Sequence, residues 1–324
     1  MPPVDQAWPG PADKPLPAAV TERVESDDAG AADGVPVLTV SGVAVRFGGV
    51  AALSAVNLTA VAGAVTGLIG PNGAGKTTLF NVISGLQQPD GGKVLFGRTN
   101  LAGISPHRRA RMGIARTFQR LELFGTLTAG ENVQVGLESA VKWWEWRHVR
   151  QSFPWRRGPL SAGGESAAVA DPGGPGSLAV TTADRLLAGV GLEGTSTNQA
   201  SAMPTGSARM VELARALAIG PKLLLLDEPG SGLDDSESEA LGTLLTRLAA
   251  SGMAILLVEH DMELVMRICD TIHVLDFGEV IASGSPDEVR ADPAVQAAYL
   301  GAGATTGSAG GPGPGPADQV GAGS

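Results

Sequence analysis

The chain has 324 residues, of which 43% are hydrophobic, so it can form one or two domains with a substantial apolar core. Its formal net charge of −10 argues against nucleic acid as the main partner, and its single cysteine, Cys269, excludes an internal disulfide. Because the sequence shows neither a secretory signal nor an apolar stretch of about eighteen residues, we expect a cytosolic chain that reaches a membrane only through a partner.

The N-terminal region has the composition of an unfolded segment. Residues 1–36 are rich in Pro, Ala, Gly and Asp, and they offer too little apolar surface to offset the entropy of the free chain. We therefore predict a disordered tail. Residues 38–45 and 55–59 follow as two strand-like stretches of a β-rich subdomain that carries Phe47.

A glycine-rich loop lies between a short apolar stretch, residues 65–69, and a segment with apolar residues at helical spacing. The loop is a complete G-x-x-x-x-G-K-[ST] motif, made of Gly70, Pro71, Asn72, Gly73, Ala74, Gly75, Lys76, Thr77 and Thr78. Its glycines let backbone N–H groups turn inward around a β-phosphate, and the helix N-terminus adds partial positive charge. Lys76 is placed to reach the β- and γ-phosphates, and the Thr77 hydroxyl to ligate Mg²⁺.

The middle of the chain alternates predicted helices with one low-complexity stretch. Thr128 and Glu131 form a capping box that opens a helix. Further helices are predicted at residues 183–190, 209–218, 235–248 and 262–268. Residues 158–177 repeat Gly, Ala, Ser and Pro without periodicity, so we predict a poorly ordered insertion there. Residues 302–324 have the same composition and predict a second disordered tail.

Residues 142–157 hold four of the five tryptophans in a basic segment of an otherwise acidic chain. Aromatic residues beside Arg are typical of subunit interfaces and of membrane-headgroup contacts, and we favour such a contact. A helix that packs its Trp face on neighbouring elements is the alternative. Stacking on nucleic acid is a weaker third interpretation.

A second chemical element follows four leucines, residues 223–226, which suit a parallel strand buried on both faces. At the strand end, Asp227 can hold Mg²⁺ through a water, and Glu228 is placed to polarise an attacking water. A helix N-cap is the structural alternative for two acids, but it explains neither Pro229 nor the leucines. With the phosphate loop, this element predicts an ATPase that binds ATP and Mg²⁺, whereas no Asn-Lys-x-Asp motif supports a GTPase.

Three further motifs complete an ordered set, namely Thr117-Phe118-Gln119, Pro229-Gly-Ser-Gly-Leu-Asp234 and Val258-Glu-His260-Asp. As a set, the motifs resemble the ATP-binding cassette (ABC) family over residues 37–301. The resemblance implies that Gln119 belongs to the Q-loop and contacts Mg²⁺, that Asp234 belongs to the D-loop, and that His260 is the switch histidine beside the γ-phosphate. It also implies that Phe47 stacks on adenine.

The fold class predicted from this order of elements is α/β, since alternating strands and helices favour a mostly parallel sheet covered by helices. The resemblance implies the P-loop NTPase fold of ABC ATPases over residues 37–301. In that fold an antiparallel β subdomain flanks the parallel core, and a helical subdomain is inserted, here at about residues 120–202.

The chain departs from the family at the signature loop, which normally reads Leu-Ser-Gly-Gly-Gln. The residues here are Met203, Pro204, Thr205, Gly206 and Ser207, and the helix after them aligns without gaps. The resemblance implies that this loop binds the γ-phosphate of ATP held by the opposite subunit, through backbone N–H groups and the serine that Pro204 replaces. A hydrogen bond on the order of 1.5–3 kcal/mol is lost unless Thr205 or Ser207 substitutes. The alternative is subfamily variation without kinetic consequence.

Three segments resemble one subfamily of ABC ATPases more specifically. Residues 46–53, 115–119 and 277–301 are similar to the ATPases of branched-chain amino acid importers, and importers of urea or short amides share the same ending. The implied partners are integral-membrane permease subunits, a second ABC ATPase subunit and, indirectly, an extracytoplasmic solute-binding protein, with the chain at the cytoplasmic face of the membrane. No nucleic acid is expected.

The implied mechanism is an ATP-driven clamp of two subunits that close head to tail. Because Pro204 would weaken both sites of a homodimer, we favour a heterodimer. The competing interpretation is a soluble ABC ATPase without a permease. Such proteins usually carry two cassettes or a long coiled coil, whereas this chain shows one cassette and no heptad run.

Overall fold

The computed structural model of the chain describes residues 8–10, 36–140 and 175–304. The tryptophan-rich segment 142–157 therefore lies outside the described residues, as do most of the predicted insertion and most of the predicted C-terminal tail. Within the described ranges, no helix combines the length and apolarity needed to cross a membrane.

Two sheets form the framework. The first is antiparallel, in the order β2-β1-β4-β5, and consists of β1 Pro36–Phe47, β2 Val50–Val61, β4 Gly91–Phe96 and β5 Thr99–Asn100. The second is six-stranded, in the order β10-β9-β3-β8-β7-β6, and consists of β3 Val65–Ile69, β6 Ile114–Arg116, β7 Leu223–Asp227, β8 Ala254–Val258, β9 Thr271–Asp276 and β10 Glu279–Gly284. All its neighbouring strands run parallel except β9 and β10. The predicted α/β fold class is confirmed.

Helices cover the parallel sheet and extend from it. They are α1 Lys76–Ser84, α2 Pro106–Arg111, α3 Ala129–Ala140, α4 Pro175–Gly189, α5 Thr205–Leu217, α6 Asp235–Ala250, α7 Met262–Ile268, α8 Pro286–Ala291 and α9 Pro293–Ala304. A 3₁₀ turn, Ala200–Ala202, precedes α5. Helix α3 packs on α4 and α5, so the region predicted as an inserted helical subdomain contains α3, α4 and this turn.

Strand β7 shows why four consecutive leucines suit this sheet. Leu223 and Leu225 pack into the hydrophobic cluster shared with α1 and the antiparallel sheet. Leu224 and Leu226 point the other way, into the cluster formed with α5 and α6. Because successive strand residues face opposite sides, only an unbroken apolar run can fill both clusters.

Two predicted low-complexity boundaries need correction. Helix α4 begins at Pro175, inside the predicted insertion 158–177, because proline fits the first turn of a helix, where its missing N–H costs nothing. Helix α9 extends to Ala304, into the predicted tail 302–324, where Ala302 and Ala304 are good helix formers.

The predicted N-terminal tail needs correction at residues 8–10. The Trp8 side chain is 2% exposed, and its indole Nε1–H donates to the Val190 carbonyl at 2.8 Å. An indole is large enough to bury substantial apolar area in a segment whose average composition is poor in it. The strand predicted at residues 38–45 begins two residues earlier, since β1 starts at Pro36, the last residue of the predicted tail.

Arg109 fixes the far end of helix α1. It is 3% exposed, and its guanidinium donates to four backbone carbonyls, those of Val82 and Ile83 in α1 and of Leu101 and Ile104, at 2.7–2.9 Å. A cation at the carboxyl end of a helix complements the helix dipole and satisfies carbonyls that have no partner within the helix.

We expect Arg109→Met to lower the free energy of unfolding by about 3 kcal/mol, because the buried carbonyls lose their donors. Urea unfolding measures this change. Arg108→Met is the matched control, since Arg108 is exposed on the same helix and its loss should change stability by only about 0.5 kcal/mol. Equal stability of the two variants would contradict a capping role for Arg109.

Candidate active site

The predicted site residues come from loops that follow parallel strands. The phosphate loop follows β3, the Thr117–Gln119 motif follows β6, Asp227 ends β7, and His260 comes two residues after β8. Since the carboxyl ends of parallel strands meet at one edge of a sheet, these loops converge there, which is where ligands bind in open α/β sheets.

Close backbone contacts fix the shape of the phosphate loop. Gly70 has φ 149°, and a Cβ at this position would collide with the Leu275 carbonyl of β9. Gly75 is the N-cap of α1 with φ 108°, and a Cβ there would lie 2.6 Å from the Ala52 carbonyl. The loop therefore requires glycine at both ends, because any side chain would push it away from its neighbouring strands.

Lys76 folds back over the loop. Its ammonium donates to the carbonyls of Gly70 at 2.6 Å and Pro71 at 2.9 Å, and the residue is 6% exposed. Burial lowers the pKa of Lys76, while the carboxylates of Glu228 and Asp227 act in the opposite direction. The ammonium is thus held by the carbonyls of Gly70 and Pro71, and phosphate oxygens can replace these carbonyls as hydrogen-bond acceptors.

Glu228 contacts two other predicted catalytic residues, Gln119 and His260. Its Oε2 accepts from Gln119 Nε2 at 3.0 Å, and its Oε1 lies 2.8 Å from His260 Nε2. Glu228 has φ 52°, a left-handed conformation that is rare for a residue with a side chain. Such strain is retained when the surroundings fix it, and here it turns the carboxylate of Glu228 toward Gln119 and His260.

Asp227 is buried and paired with a residue to which the sequence assigned no role. Its Oδ2 lies 3.1 Å from Arg116 Nη2, and both side chains are almost fully buried. Burial raises the pKa of Asp227, and the Arg116 guanidinium opposes that rise. Arg116 also donates to Asn81 and Ser84 of α1, and it lies against the Phe118 ring, 5.0 Å from its centroid. The predicted metal ligand is therefore anchored from both β6 and α1.

Glu259 is a second residue that the sequence did not single out. It is 4% exposed, and its carboxylate accepts the backbone N–H groups of Gly230 at 2.6 Å and of His260 at 3.0 Å. Burial raises its pKa, and these hydrogen bonds oppose the rise. Its only sequence signal is its position beside His260, so its role is visible only in three dimensions.

Part of this set surrounds a cavity of about 300 Å³, whose lining does not include Gly70, Asp227, Arg116 or Glu259. The lining combines the phosphate loop with the side chains that gather at Glu228 and one residue of β2, namely Ala52, Asn72, Gly73, Ala74, Gly75, Lys76, Thr77, Thr78, Gln119, Glu228 and His260. Phe47 is not among them. It is 51% exposed at the end of β1, on the hairpin whose second strand supplies Ala52.

The predicted signature loop and D-loop do not line this cavity. Pro204 is the N-cap of α5 and provides no side-chain hydrogen bond to the first turn of that helix. Asp234 is the N-cap of α6, where its carboxylate accepts from Glu237 N and Ser236 Oγ, and these bonds lower the pKa of Asp234. Both loops therefore lie at helix N-termini, outside the lining of the cavity at the chain's own phosphate loop.

A family model described as ABC transporter matches residues 53–231. The chain belongs to the ABC transporter family. A second family model, described as branched-chain amino acid ATP-binding cassette transporter, matches residues 279–305 of this ABC protein. The ABC resemblance predicted from the sequence is confirmed, and so is its assignment as a transport ATPase.

Known proteins resemble this ABC ATPase over most of its length. It is 38% identical over 267 residues to the high-affinity branched-chain amino acid transport ATP-binding protein LivG of Escherichia coli K12. The alignment covers 82% of this chain and 98% of LivG. The crystal structure of the ADP conformation of MJ1267, an ATP-binding cassette of an ABC transporter, matches with a TM-score of 0.68 and 27% identity, covering 83% and 100%.

A dimeric post-hydrolysis state of the ATP-binding cassette MJ0796, bound to ADP and Pi, matches with a TM-score of 0.61 and 25% identity, covering 77% of this chain and 98% of that one. Nucleotide binding is thus a property of this fold.

Proposed function

We propose that this chain is the ATP-hydrolysing subunit of an importer for branched-chain amino acids or a related small solute such as urea or an amide. The observation that carries the proposal is the match of residues 279–305 to the branched-chain amino acid ATP-binding cassette transporter model, on a chain that matches the general ABC transporter model over residues 53–231. The extensive similarity to LivG supports the same solute class.

The geometry supports binding of the nucleotide phosphates in the cavity described above. Lys76 can exchange its bonds to the carbonyls of Gly70 and Pro71 for bonds to phosphate oxygens. Thr78 and the backbone N–H groups at the start of α1 face the same space. Phe47 is proposed to stack on adenine, at the exposed end of β1 beside the cavity.

The donor set fits Mg²⁺. Thr77, Gln119 and Asp227 offer hydroxyl, amide and carboxylate oxygens, which are the hard ligands that Mg²⁺ prefers. Among the described residues, no group of three His, Cys, Asp or Glu side chains could hold a metal unaided. That is expected of an ion that also takes phosphate oxygens and waters as ligands. When bound, Mg²⁺ would neutralise charge on the β- and γ-phosphates.

Glu228 is proposed to orient the attacking water and accept its proton. The hydrogen bonds from Gln119 at 3.0 Å and His260 at 2.8 Å hold both carboxylate oxygens of Glu228. The exposed His260 ring can then turn to the γ-phosphate, while Lys76 stabilises the charge that develops during in-line transfer.

Dimerisation and permease contact complete the proposal. We infer that Met203–Ser207 and Asp234 face the ATP of a second ABC subunit, since neither lines the chain's own cavity. The cytoplasmic face of the membrane is the proposed location, with attachment through permease subunits. Residues 37–301 are proposed as the ABC domain, and a heterodimer is favoured by Pro204.

Purification of the tagged full-length chain from its native membranes tests this function. We expect integral-membrane subunits and a second ABC ATPase to co-purify, and we expect uptake of labelled leucine to stop when the chain carries Glu228→Gln. Recovery of the chain without membrane subunits, together with unchanged uptake of leucine, urea and acetamide, would favour the soluble alternative.

A further inference from the structure

Trp8, near the start of the chain, contacts two regions that are distant in sequence. Its indole Nε1–H donates to the carbonyl of Val190, just beyond the end of α4, at 2.8 Å. Its backbone N–H donates to Glu237 Oε1 in the first turn of α6, also at 2.8 Å. The Trp8 ring belongs to the main hydrophobic cluster. One residue therefore bridges the helical subdomain and the helix that follows the D-loop.

The backbone at Gly10 is shaped to let this segment approach α6 closely. Gly10 has φ 77°, which side chains rarely tolerate. A Cβ at Gly10 would lie 2.7 Å from the Ala240 side chain of α6. The chain can pass this close to α6 only because residue 10 is glycine, so the conformation of the segment matches the surface on which Trp8 lies.

Glu237 is the point through which Trp8 can act on the site. Its Oε2 accepts the backbone N–H of Asp234 at 3.1 Å, and its own N–H donates to Asp234 Oδ1 at 2.8 Å, so it closes the capping box of the D-loop. The same carboxylate lies over the signature loop, since a Cβ at Gly206 would be 2.6 Å from Glu237 Oε1. Glu237 is 6% exposed, so little water shares its oxygens.

We propose that Trp8 is a positioning residue for the composite ATP site, acting through Glu237. By holding Glu237 from one side, Trp8 fixes the D-loop at Asp234 and the first turn of α5 at Gly206 in one mutual arrangement. The bond to Val190 ties that arrangement to the helical subdomain. This inference rests on the proposed function, in which both loops face the ATP of a second subunit.

The test compares Trp8→Ala with Pro9→Ala in the reconstituted transporter complex. Pro9 is exposed in the same segment, so its loss should leave the segment in place. We expect Trp8→Ala to lower kcat for ATP hydrolysis by about two- to thirtyfold, the range for residues that couple sites without touching the ligand. The affinity of the isolated chain for ATP should not change, because Trp8 does not contact the phosphate loop.

Hydrogen exchange in the isolated full-length chain gives a readout that does not depend on a partner. Trp8→Ala should speed exchange of the amides of Asp234, Glu237 and Ala208, whereas Pro9→Ala should not. Trp8→Phe keeps most of the apolar ring but lacks the indole N–H, so we expect an intermediate effect. That variant keeps the proposal testable if Trp8→Ala does not fold.

Unchanged exchange and unchanged kcat in Trp8→Ala would overturn the proposal. If Trp8→Ala weakens ATP binding by the isolated chain as much as it lowers kcat, the proposal is also overturned, because general destabilisation would then explain both effects. Failure of the proposed function is distinguishable, since it would appear as recovery of the chain without membrane subunits and as unchanged uptake of leucine, urea and acetamide in Glu228→Gln. If Trp8→Ala keeps the wild-type kcat and amide exchange while Glu228→Gln is inactive, only the positioning role of Trp8 is rejected.

Discussion

Glu228→Gln is expected to lower the rate of ATP hydrolysis by about 10²- to 10⁴-fold, the usual contribution of a general base. Glutamine keeps the size of the side chain and an oxygen that can accept from Gln119 or His260, but it cannot accept a proton from water. ATP binding should therefore remain, because the phosphate loop is unchanged. The trapped nucleotide should hold the two subunits together as a stable dimer.

Turnover of radiolabelled ATP and size-exclusion chromatography with and without ATP measure these two results. Lys76→Ala is the contrasting variant, because it removes a cation that contacts phosphate in the ground state. It should weaken ATP binding and give no trapped dimer. Turnover near wild type in Glu228→Gln would remove Glu228 from its assigned role, and His260 would become the residue to test next as base.

The parts of the site that the sequence predicts are those whose geometry is local. The phosphate loop is one continuous segment between β3 and α1, and its glycines and Lys76 contact neighbouring backbone, while their roles in phosphate binding stay predictions. The other motifs come together because each follows a parallel strand, and the loops after parallel strands lie at one edge of the sheet. For that reason Gln119, Glu228 and His260 meet as the sequence predicts, although they come from three different strands.

The residues that the sequence missed act over long separations. Arg116 pairs with Asp227, 111 positions later, and although it lies in the segment 115–119 that resembles the importer ATPases, the sequence does not indicate this partner. Trp8 is a single large apolar residue in a segment whose average composition is that of an unfolded chain. A prediction from average composition cannot detect the contribution of one side chain. Its partners, Val190 and Glu237, are 182 and 229 positions away. Prediction of such pairs requires the three-dimensional positions of Val190 and Glu237 on either side of Trp8, which periodicity does not specify.

Pro204→Ser is expected to speed hydrolysis at one of the two ATP sites of a heterodimer. Pro204 begins α5 without a side-chain acceptor or donor, so the first turn offers only backbone N–H groups. A serine hydroxyl adds one hydrogen bond to a charged phosphate, about 1.5–3 kcal/mol, or roughly ten- to a hundredfold in rate if it forms only in the closed state. This chain's own ATP would face the partner's signature and should be unaffected.

Separate measurement of the two sites requires silencing one of them. Glu228→Gln in this chain stops hydrolysis on its own phosphate loop, so residual activity of the complex reports ATP on the partner's loop, which faces Pro204. We expect that residual rate to be low and to rise when Pro204→Ser is added. Pro204→Ala is the matched control, because it removes the ring without supplying a hydroxyl, and it should leave the residual rate low.

The stability of the helix separates a phosphate contact from simple capping. A serine N-cap can accept from N–H groups of the first turn and would stabilise α5 by about 1 kcal/mol without any nucleotide. The proline ring, in turn, restricts the unfolded chain, so its removal offsets part of that gain. A rate increase without a matching rise in the unfolding midpoint therefore indicates the phosphate contact. Equal single-site rates in the unmodified complex would show that Thr205, Ser207 or the backbone already replaces the missing hydroxyl, and the asymmetric heterodimer would have to be abandoned.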